Sequence, residues 1–305
     1  MTILVCGEAL YDLFQTDEPE PGRLTLDARV GGSPFNVAIG LARMETPAAL
    51  LTGMSTDLLG DRLAAQLERE GVGTGYLVRT GRRTTLSVVG VDADGGPSYA
   101  FYGVGSADCS LTEGDLPDIG ADVAALHFGS YSIAVTPVAD ALSALAQGCR
   151  DRFISLDPNV RPTIEPDMQI WRTRIDALRS IADLIKVSAE DLGMLYPDER
   201  PEAIIRRWAE DGAGMVVLTD GGASVYAVRG SDEIRVTPPA TEIVDTVGAG
   251  DTFQAVLLSE IWRSGAMSVR EADRVTLEGW LSLAARAAAV TCTRRGADLP
   301  RRGDL

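Results

Sequence analysis

Short apolar runs alternate with longer amphipathic stretches along most of this chain of 305 residues. The apolar runs have the length of buried strands, and they cover residues 3–6, 49–52, 123–128, 153–156, 184–187 and 215–218. Helical periodicity lies between or after them, at residues 33–44, 57–70, 171–181, 201–210 and 252–263. Because strands separated by helices pair in parallel, the pattern predicts an α/β fold with a mostly parallel central sheet and helices on both faces.

Two of the predicted helices begin with a hydroxyl residue followed by proline, at Ser33-Pro34 and at Thr136-Pro137. A serine or threonine side chain can accept a hydrogen bond from a free amide of the first turn, and proline fits the first helical position. We therefore expect Ser33 and Thr136 to be the N-caps of these two helices.

Two segments do not fit the alternation, at residues 11–30 and 84–105. The first is polar and contains two prolines, and the second alternates apolar and polar residues around a turn at residues 92–97. Both patterns are typical of hairpins, which would form a small second sheet that covers a cleft as a lid. Since no repeat or linker interrupts the chain, residues 1–305 are predicted to form one domain with these two lid segments inserted.

The chain is acidic, with 28 basic residues against 44 acidic ones and a formal net charge of −16. Such a surface repels phosphate backbones, so nucleic-acid binding is disfavoured. The chain contains a single histidine, His127, so it cannot form a metal site that needs two histidines. We expect His127 to be a hydrogen-bonded residue of the core or of the cleft wall. The single lysine, Lys186, is followed by Val187, which excludes a Walker-type phosphate loop.

Cysteine usage and hydropathy favour an intracellular protein. The four cysteines show no C-x-x-C spacing and are predicted to be reduced thiols. Residues 1–14 have no basic flank and contain Glu8 and Asp12, so they are predicted to be a first strand rather than a signal peptide. No run of about 18 apolar residues is present, so no membrane partner is expected and a cytoplasmic location is predicted.

The most informative segment is residues 244–253, Val-Asp-Thr-Val-Gly-Ala-Gly-Asp-Thr-Phe, which leads into a predicted helix. Gly248 and Gly250 allow the backbone to turn tightly and to approach a ligand closely. The free amides at a helix N-terminus, backed by the positive end of the helix dipole, form an anion hole that needs no lysine. Asp251 lies at its mouth, where a carboxylate can accept a proton from a substrate hydroxyl while the amides stabilise a phosphoryl group. The alternative is that Asp251 only caps the helix.

A second motif, Gly-Gly-Ser-Pro-Phe-Asn at residues 31–36, also precedes a helix. Its paired glycines permit close backbone approach, and Asn36 offers a donor and an acceptor to hydroxyl groups. The alternative is that the two glycines form an ordinary turn. Asp12 follows the first strand, and ligands of open α/β sheets gather at the carboxyl ends of strands. A carboxylate at that place can accept hydrogen bonds from two sugar hydroxyls.

Together these motifs resemble the two signatures of the ribokinase-like (PfkB) carbohydrate kinase family, in the family's order and across essentially the whole chain. Three further segments, residues 99–108, 157–161 and 186–191, are similar to bacterial fructokinases. The resemblance implies a large α/β domain with a small β-sheet lid. It also implies transfer of the γ-phosphoryl group of ATP, with Mg²⁺, to a sugar hydroxyl, which for a fructokinase converts D-fructose to fructose 6-phosphate.

The resemblance further implies roles for individual residues. Asp251 would be the catalytic base, and the anion hole would be formed by Ala249, Gly250 and the Asp251 amide, with Gly248 as a further residue of the catalytic turn. The sugar would be held by Asp12, Gly32, Asn36, Arg161 and, from the lid, Phe101. The nucleotide would lie against Lys186, Ser188, Thr219, Gly221 and Gly250. A monovalent cation such as K⁺ would bind beside Asp245, Val247 and Gly296, and Mg²⁺ would be held through water by Asp191.

Two positions depart from the family pattern. The family's Asn-x-x-Glu motif, which organises Mg²⁺ and its waters, is replaced by Ser-Ala-Glu-Asp at residues 188–191, so Glu190 and Asp191 are both candidates. In addition, Ser224 stands where the adenine-binding turn usually has a glycine.

Two alternatives about function and one expectation about assembly stay open at this point. The substrate could be a sugar other than fructose, such as ribose, or it could be 2-keto-3-deoxygluconate or a nucleoside. The choice stays open because sugars differ by the position of one hydroxyl. A non-catalytic sugar-binding protein of the same fold is the alternative from another class, and the intact Asp251 with its glycines weakens it. Finally, an exposed small sheet has unpaired edges and an apolar face, so two lids are expected to pair in a homodimer.

Overall fold

The structure is a computed structural model that describes residues 1–16, 22–91, 97–265 and 267–305. Its strands are β1 (Thr2–Cys6), β2 (Leu10–Gln15), β3 (Leu26–Gly31), β4 (Ala48–Ser55), β5 (Leu77–Thr80), β6 (Thr85–Val91), β7 (Pro97–Tyr102), β8 (Val123–Gly129), β9 (Phe153–Asp157), β10 (Leu184–Ser188), β11 (Met215–Asp220), β12 (Ser224–Arg229) and β13 (Asp232–Val236). Its helices are α1 (Ser33–Arg43), α2 (Leu58–Arg69), α3 (Val138–Gly148), α4 (Met168–Arg179), α5 (Ala189–Leu195), α6 (Pro201–Glu210), α7 (Ala249–Arg263) and α8 (Arg274–Cys292).

The larger sheet has nine strands in the order β13-β12-β11-β10-β9-β8-β1-β4-β5. Pairing is parallel from β11 through to β5, and β12 and β13 are added antiparallel at one edge. All six predicted buried strands lie in the parallel part, which confirms the mostly parallel central sheet. The antiparallel edge hairpin is an addition that the apolar runs do not predict.

Helices cover both faces of this sheet, and β1 shows how the sequence arranges this. Successive side chains of a strand point to opposite faces, so Ile3 and Val5 join one buried cluster whereas Leu4 and Cys6 join the other. The first cluster packs against α1, α2, α7 and α8, and the second against α3, α4, α5 and α6. Within the first layer, α7 packs against both α1 and α8, which brings the two sequence motifs to the same place.

The smaller sheet has four strands in the order β3-β2-β6-β7. Each predicted lid segment supplies one antiparallel pair, β2 with β3 and β6 with β7, and β2 joins the two pairs by running parallel to β6. The predicted lid sheet is therefore confirmed. Residues 92–96 of the predicted turn lie outside the described residues. The prediction of one first strand over residues 1–14 is wrong, because β1 belongs to the large sheet and β2 to the lid.

The predicted helix starts need correction at three places. Gly32 rather than Ser33 is the N-cap of α1, since its φ of 103° and ψ of 126° turn the chain into the helix and leave Ser33 as the first helical residue. Pro137 rather than Thr136 occupies the N-cap position of α3. Helix α7 begins at Ala249, three residues before the predicted start at 252, because the left-handed Gly248 already provides its N-cap.

Two expectations about environment can be compared with the structure. All four cysteines are free thiols, as predicted. In the described ranges, no helix combines the length and the hydropathy needed to cross a bilayer.

Candidate active site

The first turn of α7 is built around glycine. Gly248 has φ of 80°, and a Cβ atom at this position would lie 2.8 Å from the Cα of Ala297, so a larger residue would collide with backbone. No side chain caps the helix, and its first intrahelical bond runs from the Thr252 amide to the Gly248 carbonyl. The Ala249 amide donates to the Thr246 carbonyl at 3.2 Å, so one donor of the predicted anion hole is already paired. Among the described residues, the amides of Gly250 and Asp251 have no such backbone partner, which suits them to bind an anion.

Asp251 lies in this turn but does not cap it. Its carboxylate is buried, and each oxygen accepts one hydrogen bond from α1: Oδ1 from the Ser33 hydroxyl at 2.6 Å and Oδ2 from the Asn36 amide nitrogen at 2.8 Å. The structure thus brings the two motifs together across more than 200 residues of sequence. Because the carboxylate faces the second motif rather than its own helix, the capping interpretation of Asp251 is wrong.

Lys186 lies directly under the same turn. It is the single lysine of the chain, it is buried on β10, and its Nζ donates to Oδ2 of Asp157 on β9 at 2.8 Å. A Cβ atom added at Gly250 would lie 2.9 Å from this Nζ, so the glycine lets the ammonium approach the anion-binding turn closely. The predicted nucleotide residues Lys186 and Gly250 are therefore neighbours.

Burial and charge oppose each other in this ion pair. Burial raises the pKa of Asp157 to about 6, even though Lys186 favours its ionised form. For Lys186, burial lowers the pKa, but the nearby carboxylates of Asp157, Asp191 and Asp251 outweigh that effect and keep it above its usual value. The ammonium therefore stays protonated, and it is the stable positive charge of the site.

A buried polar cluster connects α7 to the strands beneath it. Ser155 Oγ accepts a hydrogen bond from Gln254 Nε2 at 2.8 Å and lies 3.1 Å from His127 Nδ1. Burial, and secondarily the charge of Lys186, lower the pKa of His127 to about 3, so the ring is neutral and is not a proton carrier at physiological pH. His127 is a hydrogen-bonded core histidine, as expected.

One predicted sugar-binding residue, Asp12, approaches Asp251 from the lid. Asp12 lies in the middle of β2, so its predicted place at the end of a central strand is wrong; its neighbour across the lid sheet is Arg29. Burial raises the pKa of Asp12 and Asp251 raises it further, whereas a hydrogen bond from Ser87 and the charge of Arg161 lower it. Asp12 therefore lies close enough to Arg161 and to Asp251 for the charge of each to affect it. The Arg161 guanidinium donates to the backbone carbonyls of Asn159 and Val160.

Phe101 lies on β7 and packs edge-to-face against Tyr131, with ring centroids 5.2 Å apart. The Tyr131 hydroxyl donates to Oδ2 of Asp108 at 2.6 Å, and the other oxygen of Asp108 accepts from Thr85 and Ser106. Because Thr85 belongs to β6, this buried cluster ties the lid to the main body. The structure places Phe101 at that junction, and its contact with the sugar stays a prediction.

The predicted nucleotide residues Ser188 and Thr219 pair with each other at the carboxyl ends of β10 and β11. Gly221 follows in the turn to β12 with φ of 46°, and Ser224 begins β12. Ser188 is the N-cap of α5, and its hydroxyl accepts from the Asp191 amide at 3.0 Å. Asp191 in return accepts from the amides of Ser188 and Val160, at 3.3 and 2.8 Å. Each of its oxygens thus holds one backbone amide, and its contact with Mg²⁺ stays a prediction.

The three residues predicted beside a monovalent cation also meet. Asp245 accepts from the Val247 amide through Oδ1 at 3.0 Å and from the Gly296 amide through Oδ2 at 2.8 Å. The carboxylate therefore ties the loop before α7 to the C-terminal segment. In the described part of the chain, no group of three or more His, Cys, Asp or Glu residues is arranged to hold a metal ion by itself.

Two contacts of the site escape the sequence analysis. Ser33 contacts Asp251 directly, although the sequence suggests only a helix cap. Glu8 is buried, and its Oε1 accepts from the Ser33 amide at 3.3 Å. Burial raises the pKa of Glu8 to about 7, against the lowering effect of hydrogen bonds from Ser130 and Ser132. The rule that ligands gather where central strands end would have identified Glu8, which comes two residues after β1.

Comparison with known proteins agrees with this geometry. The model of the pfkB family carbohydrate kinases matches residues 2–302. A fructokinase of Rhizobium leguminosarum bv. trifolii is 35% identical over 270 residues, which are 88% of this chain and 82% of that protein. A fructokinase of Klebsiella pneumoniae is 30% identical over 309 residues, covering 99% of this chain and 97% of the relative.

Solved structures give the same result. A Xylella fastidiosa fructokinase with bound ATP superposes with a TM-score of 0.89 at 27% identity, over 98% of this chain and 95% of the other. A Vibrio cholerae O395 fructokinase in a fructose, ADP and calcium ion bound form superposes with a TM-score of 0.83 at 25% identity, over 99% and 97% of the two chains. With its mostly parallel sheet, its small lid sheet and its glycine-bounded turn at Asp251, this chain belongs to the pfkB family of carbohydrate kinases.

Proposed function

We propose that this carbohydrate kinase transfers the γ-phosphoryl group of ATP to D-fructose and forms fructose 6-phosphate. The observation that carries the proposal is the position of Asp251. Its carboxylate accepts a hydrogen bond from Asn36, which is predicted to face the sugar, and it belongs to the turn that presents the free amides of Gly250 and Asp251. Several relatives are fructokinases, and similar fructokinase structures were solved with bound ATP or with fructose and ADP, which supports the choice of both substrates.

The residues of the site suit the two halves of this reaction. Asp251 accepts the proton of the attacking hydroxyl. Asp12 and Asn36 bind neighbouring sugar hydroxyls, and Arg161 lies at the edge of the sugar site. On the other side, the amides of Gly250 and Asp251 stabilise the charge on the moving phosphoryl group. Lys186 adds a fixed positive charge beneath them. Together these groups orient the two substrates in line, which is the main requirement of phosphoryl transfer.

The site also suits Mg²⁺ on the nucleotide. Carboxylate oxygens and water are the ligands that Mg²⁺ prefers, and Asp157 and Asp191 are electrostatically coupled beside Lys186. Among the described residues, Oδ1 of Asp157 has no hydrogen-bond partner, so it can accept from a water of the ion's shell. Bound Mg²⁺ neutralises phosphate charge during transfer.

We further propose a K⁺ site and a dimer. The loop held by Asp245 lies beside the anion-binding turn, and a similar fructokinase structure was solved in a fructose, ADP and potassium ion bound form. Activity that does not change when Na⁺ replaces K⁺ would argue against the K⁺ site.

For the dimer, the edge strands β3 and β7 of the lid are available for pairing, and Tyr102 and Val104 beside them are exposed. Sedimentation as a monomer at micromolar concentration would argue against the dimer.

The substrate proposal is tested by ADP release over a panel of ketoses, aldoses, keto-deoxy acids and nucleosides with ATP and Mg²⁺. We expect fructose to give the highest kcat/KM. A higher value for 2-keto-3-deoxygluconate, ribose or a nucleoside would change the substrate while keeping the reaction. No ADP release from any member would favour a non-catalytic sugar-binding protein.

A further inference from the structure

We propose that Ser33 is a positioning residue for phosphoryl transfer, because its hydroxyl, held in place by Glu8, fixes the orientation of the Asp251 carboxylate. The inference rests on the proposed function, in which Asp251 is the base. It adds a second α1 residue, one that does not need to touch the sugar, to the machinery of the reaction.

The geometry around Asp251 carries the first step. The terminal torsion of an aspartate is broad, so an unrestrained carboxylate samples many orientations. Here the hydrogen bonds from Ser33 and Asn36, at 2.6 and 2.8 Å, reach different oxygens of the same carboxylate. Rotation about that torsion would break both, and the three side chains are buried. The base is therefore held in one orientation before substrate binds.

The two anchors differ in what they do once the sugar is bound. In the proposed reaction Asn36 donates to a sugar hydroxyl, which frees Oδ2 of Asp251 to receive the proton. Ser33 then remains the anchor on Oδ1 and keeps Oδ2 aimed at the acceptor. A small misplacement of a reacting group can slow an enzyme strongly, so loss of the Ser33 hydroxyl should affect the chemical step.

Glu8 determines where the Ser33 hydroxyl lies. The Ser33 amide belongs to the first turn of α1 and has no partner within the helix, so it donates to Oε1 of Glu8 at 3.3 Å. On the other side, a Cβ atom at Gly32 would lie 2.9 Å from the Glu8 carbonyl oxygen, so the turn fits closely against the Glu8 backbone. Glu8 thus fixes the backbone of Ser33, whose hydroxyl contacts Asp251.

The chain offers a matched control at the opposite end of the same helix pair. Ser259 is a fully buried serine on α7, and its Oγ lies 2.7 Å from Oγ1 of Thr46, just after α1. Ser259→Ala removes the same group as Ser33→Ala from a similar buried hydrogen bond between the same parts of the fold. It leaves Asp251 untouched.

The test compares the single-turnover rate of phosphoryl transfer to fructose in the wild type and in Ser33→Ala, Ser33→Thr and Ser259→Ala, at saturating ATP. We expect Ser33→Ala to slow transfer roughly 10- to 100-fold with the sugar KM little changed. Ser33→Thr keeps the donor and should recover most of the rate, and Ser259→Ala should match the wild type. If Ser33→Ala does not fold, Ser33→Cys, a weak donor of similar size, takes its place with the same expectation.

Three results would overturn the inference. They are a wild-type rate in Ser33→Ala, an equal loss in Ser259→Ala, and a loss confined to the sugar KM, which would make Ser33 a substrate contact. Asp251→Asn, measured alongside, separates this inference from the proposed function. An inactive Asp251→Asn with a fully active Ser33→Ala removes only the role of Ser33, whereas an active Asp251→Asn removes both.

Discussion

The ammonium of Lys186 and the carboxylate of Asp157 form a 2.8 Å ion pair that is closed off from solvent beneath the first turn of α7. Taking both charges out of water is costly, and such pairs are often no more stable than apolar residues of similar volume. The pair therefore points to a role beyond stability. Its ammonium lies beside Gly250, where the anion-binding turn begins.

Replacement of Lys186 separates its contribution to the stability of the fold from its contribution to phosphoryl transfer. Lys186→Met leaves the Asp157 carboxylate buried and unpaired, so we expect it to lower the free energy of unfolding by roughly 3–5 kcal/mol and to slow transfer strongly. The double variant Lys186→Met with Asp157→Asn removes the unpaired charge and should regain most of the stability, yet stay slow. Chemical denaturation and the initial rate of ADP release measure the two effects. A double variant that regains activity would show that Lys186 serves only the fold.

Gly250→Ala should lower the rate of transfer without lowering the stability of the protein. Alanine is favoured over glycine in a helix by about 1 kcal/mol, but the new Cβ would lie 2.9 Å from Nζ of Lys186 and push the ammonium away from the turn. We expect transfer to slow by up to about 10²-fold without loss of thermal stability. Gly279→Ala on α8, where nothing lies within 4 Å of the added atom, is the control and should leave the rate unchanged. Equal rates in the two variants would contradict the account of Gly250.

Glu8 should make the stability of the protein depend on pH. Its pKa is about 7 in the folded chain against 4.5 in its usual state, so the folded protein binds the proton more tightly than the unfolded chain. Its contribution to stability is therefore greatest below pH 4.5 and falls as the pH rises to 7. Glu8→Gln lacks this titration, so its stability relative to the wild type should improve across this window by on the order of 3 kcal/mol.

Denaturant unfolding at a series of pH values measures this difference. The exposed Glu113→Gln removes one surface carboxylate and is the control, against which the change in Glu8→Gln is measured. A constant difference between Glu8→Gln and the wild type would mean that Glu8 is ionised in the folded protein throughout.

The central sheet is predictable from the sequence because helices cover both of its faces. The interior parallel strands are therefore largely apolar runs, as in β4, whose residues are all buried. The edge strands β5 and β13 bury little, so no such run marks them. The division between β1 and β2 is hidden as well, since only residues 7–9 separate two strands that belong to different sheets.

The site is predictable where a motif is local and hidden where packing assembles it. The glycines and Asp251 occupy one turn, so their chemistry can be inferred from spacing alone. The contacts of Ser33 and Asn36 with Asp251 join residues 218 and 215 positions apart, and that of Glu8 with Ser33 spans 25. Such contacts depend on how α1 packs against α7 and β1, which no pattern in the sequence specifies.

The role of Asp251 is tested most directly by the single-turnover rate of phosphoryl transfer from ATP to fructose in Asp251→Asn. Asparagine keeps the shape of the side chain but cannot take the proton of the hydroxyl. We expect the rate to fall about 10²–10⁴-fold with ATP affinity unchanged. A variant that transfers at the wild-type rate while binding ATP normally would contradict the assignment of Asp251 as the base.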